Sequence, residues 1–182
     1  MYFPNGIIAQ SGEAKTGAHV ANGTIGMTVV QGTPAVLPSV HKYVPLLTPR
    51  ELVAYAPTAG IPELREAWKS VQQKKNPLLQ QKNTSLPVVV PGLTAGLSYI
   101  MDLFVGSDKP LLMPSPSWDN YELIAEARCG AECRTFPMFS DGRFNLTALE
   151  NAVKAEAAAS GSVRLLLNFP HNPSGYSPSP QE

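Results

Sequence analysis

The chain has 182 residues, 14 lysines and arginines against 14 aspartates and glutamates, and 43% hydrophobic residues. That length accommodates one core and an arm, and the charge balance offers no electrostatic basis for binding nucleic acid or a membrane surface. No apolar run reaches the roughly 20 residues of a bilayer span, and Met1-Tyr2-Phe3-Pro4-Asn5-Gly6 lacks the basic and apolar regions of a signal peptide, so the expected compartment is the cytoplasm.

Taken in chain order, residues 1–49 are rich in Gly, Pro and Thr with little periodicity, and they read as an irregular N-terminal arm whose surface needs cover, for which a partner subunit is a candidate. Residues 50–182 read as the first part of a larger domain. An amphipathic helix is predicted from Pro62, with Pro at its first position and Glu63 and Glu66 in its first turns. Pro87-Val88-Val89-Val90 reads as a short buried strand that breaks at Pro91-Gly92 into a helix running to Phe104, with Thr94 as N-cap. Pro110-Leu111-Leu112-Met113 is the next strand, and Trp118 opens a helix through about Arg128.

A strand near Glu132 and a helix from Leu146, capped by Asn145, follow. The continuous apolar run 163–169 then reads as a strand buried on both faces, ending in the strong turn signal Pro170-His171-Asn172-Pro173-Ser174-Gly175. Strands alternating with helices predict a three-layer α/β/α domain with a largely parallel sheet. Cys129 and Cys133, the only cysteines, read as buried free thiols, and His19, His41 and His171 are too scattered to form a site, so no metal is expected.

Three turns therefore follow three strands, at the sheet edge where open α/β sheets bind ligands. The first offers the backbone N–H groups of Leu93 and Thr94, the Thr94 hydroxyl and a positive helix end, suited to a phosphate. Trp118 offers a flat face for a planar ring, and Asn172 an amide for a ring substituent. Neither the Gly-rich fingerprint of a dinucleotide site nor a P-loop is present, and a phosphorylated aromatic cofactor, pyridoxal 5'-phosphate, fits better.

Four stretches carry a resemblance: Tyr55-Ala56-Pro57-Thr58-Ala59-Gly60-Ile61-Pro62-Glu63-Leu64-Arg65, Gly92-Leu93-Thr94-Ala95-Gly96-Leu97, Pro116-Ser117-Trp118-Asp119-Asn120-Tyr121, and Asn168-Phe169-Pro170-His171-Asn172-Pro173-Ser174-Gly175. In this order the chain, from about Asn22 onward, resembles the class I/II aminotransferases of the aspartate aminotransferase type, pyridoxal-phosphate enzymes of fold type I. The resemblance implies that Leu93 and Thr94 hold the cofactor phosphate, that Trp118 stacks on the pyridine ring, and that Asn172 bonds its phenolic oxygen. It implies that Tyr55 crosses a homodimer interface to the neighbour's phosphate. Gly26 lies near the substrate-carboxylate loop, although Thr24-Ile25-Gly26-Met27 departs from the family's pattern. It also implies a cis bond between Asn172 and Pro173.

The family's Schiff-base lysine lies well downstream of this Asn-Pro-Ser-Gly turn, so no catalytic residue is assigned in the chain. Lys69, Lys74, Lys75, Lys82 and Lys154 stand in polar stretches where an ammonium stays solvated. Ser179-Pro180-Gln181-Glu182 reads as a capping box opening a further helix. The expectation is the amino-terminal part of a longer aminotransferase acting on an amino acid and a 2-oxo acid, inactive alone. The alternatives are another fold type I reaction, such as a β-lyase or a cyclopropane-carboxylate synthase, and a non-catalytic truncated product.

Overall fold

The computed structural model describes residues 7–17, 20, 22–24 and 26–182. Residues Met1 to Gly6, His19 and Ile25 lie outside them. The chain divides into two compact units, Met1–Leu64 and Arg65–Glu182.

The first unit holds helix α1 (Ile7–Gly17), a hairpin of β1 (Val29–Val30) and β2 (Thr33–Pro34), helix α2 (Pro38–Tyr43), a 3-10 turn at Val44–Leu46, and helix α3 (Pro49–Val53). Gln31 and Gly32 both take positive φ, as a tight two-residue hairpin turn requires. Helices thus stand where the sequence reads as irregular. The physical reason is local: α2 and α3 each open on a proline, and Thr48 and Glu51 cap α3 reciprocally, Thr48 N–H donating to Glu51 Oε2 at 2.8 Å and Glu51 N–H to Thr48 Oγ1 at 3.3 Å. Helices of five or six residues complete too few turns to leave a readable period.

Helix α4 (Pro62–Lys75) forms as predicted, with Glu63 in its first turn and Lys74 and Lys75 in its last. The segment 87–90 corrects the prediction, for it is extended but joins no strand among the described residues. Its backbone is engaged elsewhere, Arg65 Nε donating to the Pro87 carbonyl at 2.7 Å, and just upstream of it Lys69 Nζ donates to the Thr84 carbonyl at 2.6 Å.

The rest of the second unit is α5 (Leu93–Phe104), β3 (Leu111–Ser115), α6 (Asp119–Glu122) running directly into a π-helix (Leu123–Arg128), β4 (Cys133–Pro137), a hairpin of β5 (Phe139–Ser140) and β6 (Arg143–Phe144), and α7 (Leu146–Ser160). Strands β3 and β4 pair in parallel, from Leu111 opposite Cys133 to Ser115 opposite Pro137. The segment 163–167 lies parallel on the other side of β3, through Leu112 N–H to the Arg164 carbonyl at 2.8 Å and Leu166 N–H to the Leu112 carbonyl at 2.9 Å. It is a single bridge rather than the expected strand buried on both faces, and Leu165 and Leu167 remain 38% and 37% exposed. A continuous apolar run marks a strand fit for burial; whether a neighbour covers it is a tertiary matter.

Strand pleating sends alternate β3 side chains into two cores. Leu111 and Met113 join Met101, Tyr121, Ile124, Ala125 and Ala131 beneath α5 and α6, whereas Leu112 joins Phe136, Met138 and Phe144 against α7. Each buried Leu, Ile, Met or Phe side chain among them contributes about 1.5–3 kcal/mol. Helix layers on both sides of a parallel pair give the α/β/α arrangement. Asn145 caps α7 as predicted, its Oδ1 accepting from Ala148 N–H at 3.0 Å, and Gly161 closes it in the left-handed region. Arg134 fixes α7 to β4 through Glu156, Nη1 to Oε1 at 2.6 Å, with the carboxylate almost wholly buried. Cys129 and Cys133 are free and half-buried, and burial pushes the Cys133 thiol up to about 11.

Candidate functional site

Helix α5 starts at Leu93, with Gly92 as its N-cap at φ 97° and ψ 165°, a region essentially open only to glycine. Thr94 is therefore the second helical residue and not the cap that the sequence predicts. The proline and glycine at 91–92 turn the chain two residues earlier than a cap at Thr94 requires. Gly92 has no side chain to satisfy the helix start, and the first intrahelical bond is Gly96 N–H to the Gly92 carbonyl at 3.2 Å. Among the described residues nothing accepts from the N–H groups of Leu93, Thr94 and Ala95. Leu93 is 73% exposed and Thr94 is exposed too, so the positive end of a three-turn helix faces open space.

Near the end of strand β3 Met113 and Pro114 are fully buried, and its last residue, Ser115, joins Pro116 through a cis bond. Trp118 is the N-cap of α6 rather than its first helical residue. Its half-buried indole meets Tyr121 edge-on, centroids 5.3 Å apart at 89°, and packs on the Met101–Tyr121 core. Ser117 Oγ lies 3.8 Å from Met113 Sδ. The π-helix that follows closes through Cys129 N–H to the Ile124 carbonyl at 3.2 Å.

The turn after residue 167 contains two cis bonds, Phe169-Pro170 and the predicted Asn172-Pro173. Asn172 is exposed. The turn is closed by His171 N–H to the Tyr176 carbonyl at 2.7 Å and Gly175 N–H to the His171 carbonyl at 2.6 Å. Aromatic rings hold it to the β5–β6 hairpin: Phe169 meets Phe144 edge-on, and Tyr176 does the same to Phe139. Tyr176 Oη also accepts from Phe144 N–H at 3.3 Å and donates to Glu182 Oε1 at 2.9 Å. Ser179 and Glu182 exchange the hydrogen bonds of the predicted capping box.

His171, dismissed by sequence spacing, is the buried residue at the centre of the Asn172 turn. It is 2% exposed, its Nδ1 lies 2.7 Å from Ser174 Oγ, and the Pro116 carbonyl faces its ring. Burial pushes its pKa below the ordinary imidazole value, and the carbonyl opposes this in part. Its position directly before an Asn-Pro turn was the available signal.

Parallel pairing of β3 with 163–167 puts the Pro116–Trp118 turn and the Asn172 turn at one sheet edge. Trp118 and Leu97 of α5 pack on the same core. Tyr55 and Gly26 belong to the first unit, where the Tyr55 side chain is fully exposed and Gly26 has open space around it. The lysines singled out above are solvated or paired with surface groups, Lys69 on the Thr84 carbonyl and Lys154 on Glu150 at 2.6 Å. No cluster of three metal-ligating side chains occurs among the described residues, and no helix among them is long and apolar enough to cross a membrane.

Residues 27–182 match the family model of aminotransferase class I and II. Aspartate aminotransferase of Pyrococcus abyssi is 29% identical over 128 residues, 68% of this chain and 31% of that protein. A putative cystathionine beta-lyase of Mycobacterium tuberculosis is 30% identical over 94 residues, 50% of this chain and 23% of that one. The crystal structure of an aminotransferase from Anaerococcus prevotii superposes with a TM-score of 0.78 at 24% identity, over 95% of this chain and 43% of that chain. The chain thus spans less than half the length of each.

Proposed function

The chain belongs to the class I and II aminotransferase family, whose cofactor is pyridoxal 5'-phosphate, and from that premise we propose that the whole protein transfers an amino group between an amino acid and a 2-oxo acid. One observation carries the reading: the uncapped start of α5, with the free N–H groups of Leu93 and Thr94 at a glycine turn. Those groups and the helix dipole suit a phosphate dianion. Trp118 supplies the stacking face and the Asn172 side chain an N–H donor for the ring's oxygen. When bound, the cofactor supplies the electron-withdrawing ring that makes the amino acid's Cα proton removable. This chain's residues grip, orient and shield.

In the same reading Tyr55 reaches the phosphate of a partner subunit in a cytoplasmic homodimer, and Gly26 lies along the substrate-carboxylate loop. Residues 1–49 form the arm and 50–182 the first part of the cofactor-binding domain. The 182-residue chain alone, with its lysines in solvent, is inactive. The test is isotopic: the protein from the complete reading frame, loaded with cofactor, is given a 15N-labelled amino acid and an unlabelled 2-oxo acid. Label recovered in a new amino acid supports transamination. Label released as ammonia with no new amino acid supports a second reading, β-elimination, which the similarity to the cystathionine beta-lyase favours.

A further inference from the structure

Asn172 stands exposed in a turn with an aromatic residue on each shoulder, Phe169 three residues before it and Tyr176 four after. Both rings rest on one residue of the β5–β6 hairpin. Phe169 meets Phe144 edge-on with centroids 5.7 Å apart, and Tyr176 stacks on Phe144 at 6.3 Å and 23°. Phe139, which faces Phe144 across the hairpin, meets Tyr176 edge-on at 5.3 Å and 80°. The phenol hydroxyl adds two polar ties, accepting from the Phe144 N–H at 3.3 Å and donating to Glu182 Oε1 at 2.9 Å. A hydroxyl can do both at once. The Tyr176 carbonyl meanwhile closes the turn itself, accepting from the His171 N–H at 2.7 Å.

The same hairpin is bonded to the strand that leads into the Trp118 turn. At its base the Met138 N–H donates to the Ser115 carbonyl at 3.0 Å, and the Asn145 N–H to the Met138 carbonyl at 2.8 Å. Ser115 is the last residue of β3, and Trp118 follows three residues on. At the hairpin's tip Asp141 and Gly142 both take positive φ, the two-residue turn that matches the twist of its strands. We propose that Tyr176 is the positioning residue of the Asn172 turn: it latches that turn to the β5–β6 hairpin, and the hairpin, bonded at its base to Ser115, holds the Asn172 amide in register with the Trp118 indole. The consequence for the cofactor rests on the function proposed above; the latch itself does not.

Tyr176→Phe keeps the ring and removes the hydroxyl. Amide hydrogen exchange in the 182-residue chain reads the latch without cofactor: Phe144 is expected to exchange about two- to tenfold faster, the loss of one hydrogen bond, and His171 and Gly175 to quicken with it, while amides within α7 keep their protection. Unchanged exchange at these three amides overturns the latch. Faster exchange at Phe144 alone also overturns it, since the turn then keeps its place without the hydroxyl, and an equal rise throughout α7 reduces Tyr176 to general stability. In the protein from the complete reading frame, Tyr176→Phe, Asn172→Ala and the double variant are compared for retention of pyridoxal 5'-phosphate. A residue that acts through Asn172 has nothing to position once the amide is gone, so the two changes are coupled. Tyr176→Phe alone is expected to weaken retention about two- to tenfold and to add little in the Asn172→Ala background. Additive losses overturn the positioning role. Wild-type retention in Asn172→Ala, or none in the wild type itself, ends the functional reading of the site, and the exchange results then decide the latch alone.

Discussion

Arg128 grips Asp102 with both prongs of its guanidinium, Nε to Oδ1 at 2.8 Å and Nη2 to Oδ2 at 2.7 Å, and so ties the end of the π-helix to α5. The two helices under the candidate site are thereby held in register. The guanidinium keeps the Asp102 carboxyl below its ordinary range. A lowered folded-state value means that the pair contributes fully above the unfolded carboxylate pKa and is lost as the pH falls through the folded one. Both partners are well exposed, so the contribution is small and salt-sensitive. Asp102→Asn is expected to lower the melting temperature slightly at neutral pH in dilute buffer; calorimetry at high salt is expected to find no difference from wild type.

Gly92→Ala isolates backbone strain at the start of α5. A Cβ there meets nothing within 4 Å, so space is not the obstacle, but φ 97° is a conformation that side chains rarely adopt. The cost is about 1–3 kcal/mol. Urea denaturation is expected to shift by that amount, and phosphate competition against the cofactor to weaken, because the helix start must rotate to relieve the strain. An unchanged midpoint would show that the turn tolerates a side chain.

Trp118 has two duties in this reading, and two substitutions separate them. Its edge-on contact with Tyr121 and its place on the core imply that Trp118→Ala destabilises the domain as well as the site. Trp118→Phe keeps an aromatic face and much of the packing. Cofactor retention is expected to fall strongly in the first and mildly in the second, with the aromatic contact worth about 0.5–1.5 kcal/mol beyond area. Wild-type retention in both would return the indole to a purely structural role.

Acidification tests the buried imidazole through stability. The folded-state pKa of His171 is lowered. Below the ordinary imidazole value the unfolded chain therefore takes up a proton that the folded chain resists, and stability falls with pH in that window. Denaturant midpoints measured from pH 8 to pH 5 are expected to drop more in the wild type than in His171→Phe. Parallel curves would place the pH sensitivity elsewhere.

Much of this architecture was legible in the chain. Helix α7 announced itself through Asn145 and a long periodic run, and α4 through Pro62 and its charges, because local chemistry decides such elements. The parallel pair of β3 and β4 followed from alternation. What sequence misjudged was decided by contact. Pro87 gave its carbonyl to Arg65 instead of to a strand. Gly92 outcompeted Thr94 for the cap because a left-handed turn ended the extended segment first. The burial of His171 was invisible, since it is set by how the turn closes on Tyr176 and not by the spacing of histidines.

The π-helix from Leu123 to Arg128 has a consequence for lineage. Its wide ring, Cys129 bonding five residues back to Ile124, is the form an α-helix takes when it absorbs an extra residue without disturbing what lies on either side. Each residue of an ordinary helix turns the chain by about 100°. Because the wide ring takes up that turn, deleting one position between Leu123 and Arg128 is expected to restore the narrower winding while leaving Trp118 and the Arg128–Asp102 clasp where they stand. Relatives one residue shorter here can therefore keep both the tryptophan and the arginine clasp with no compensating change.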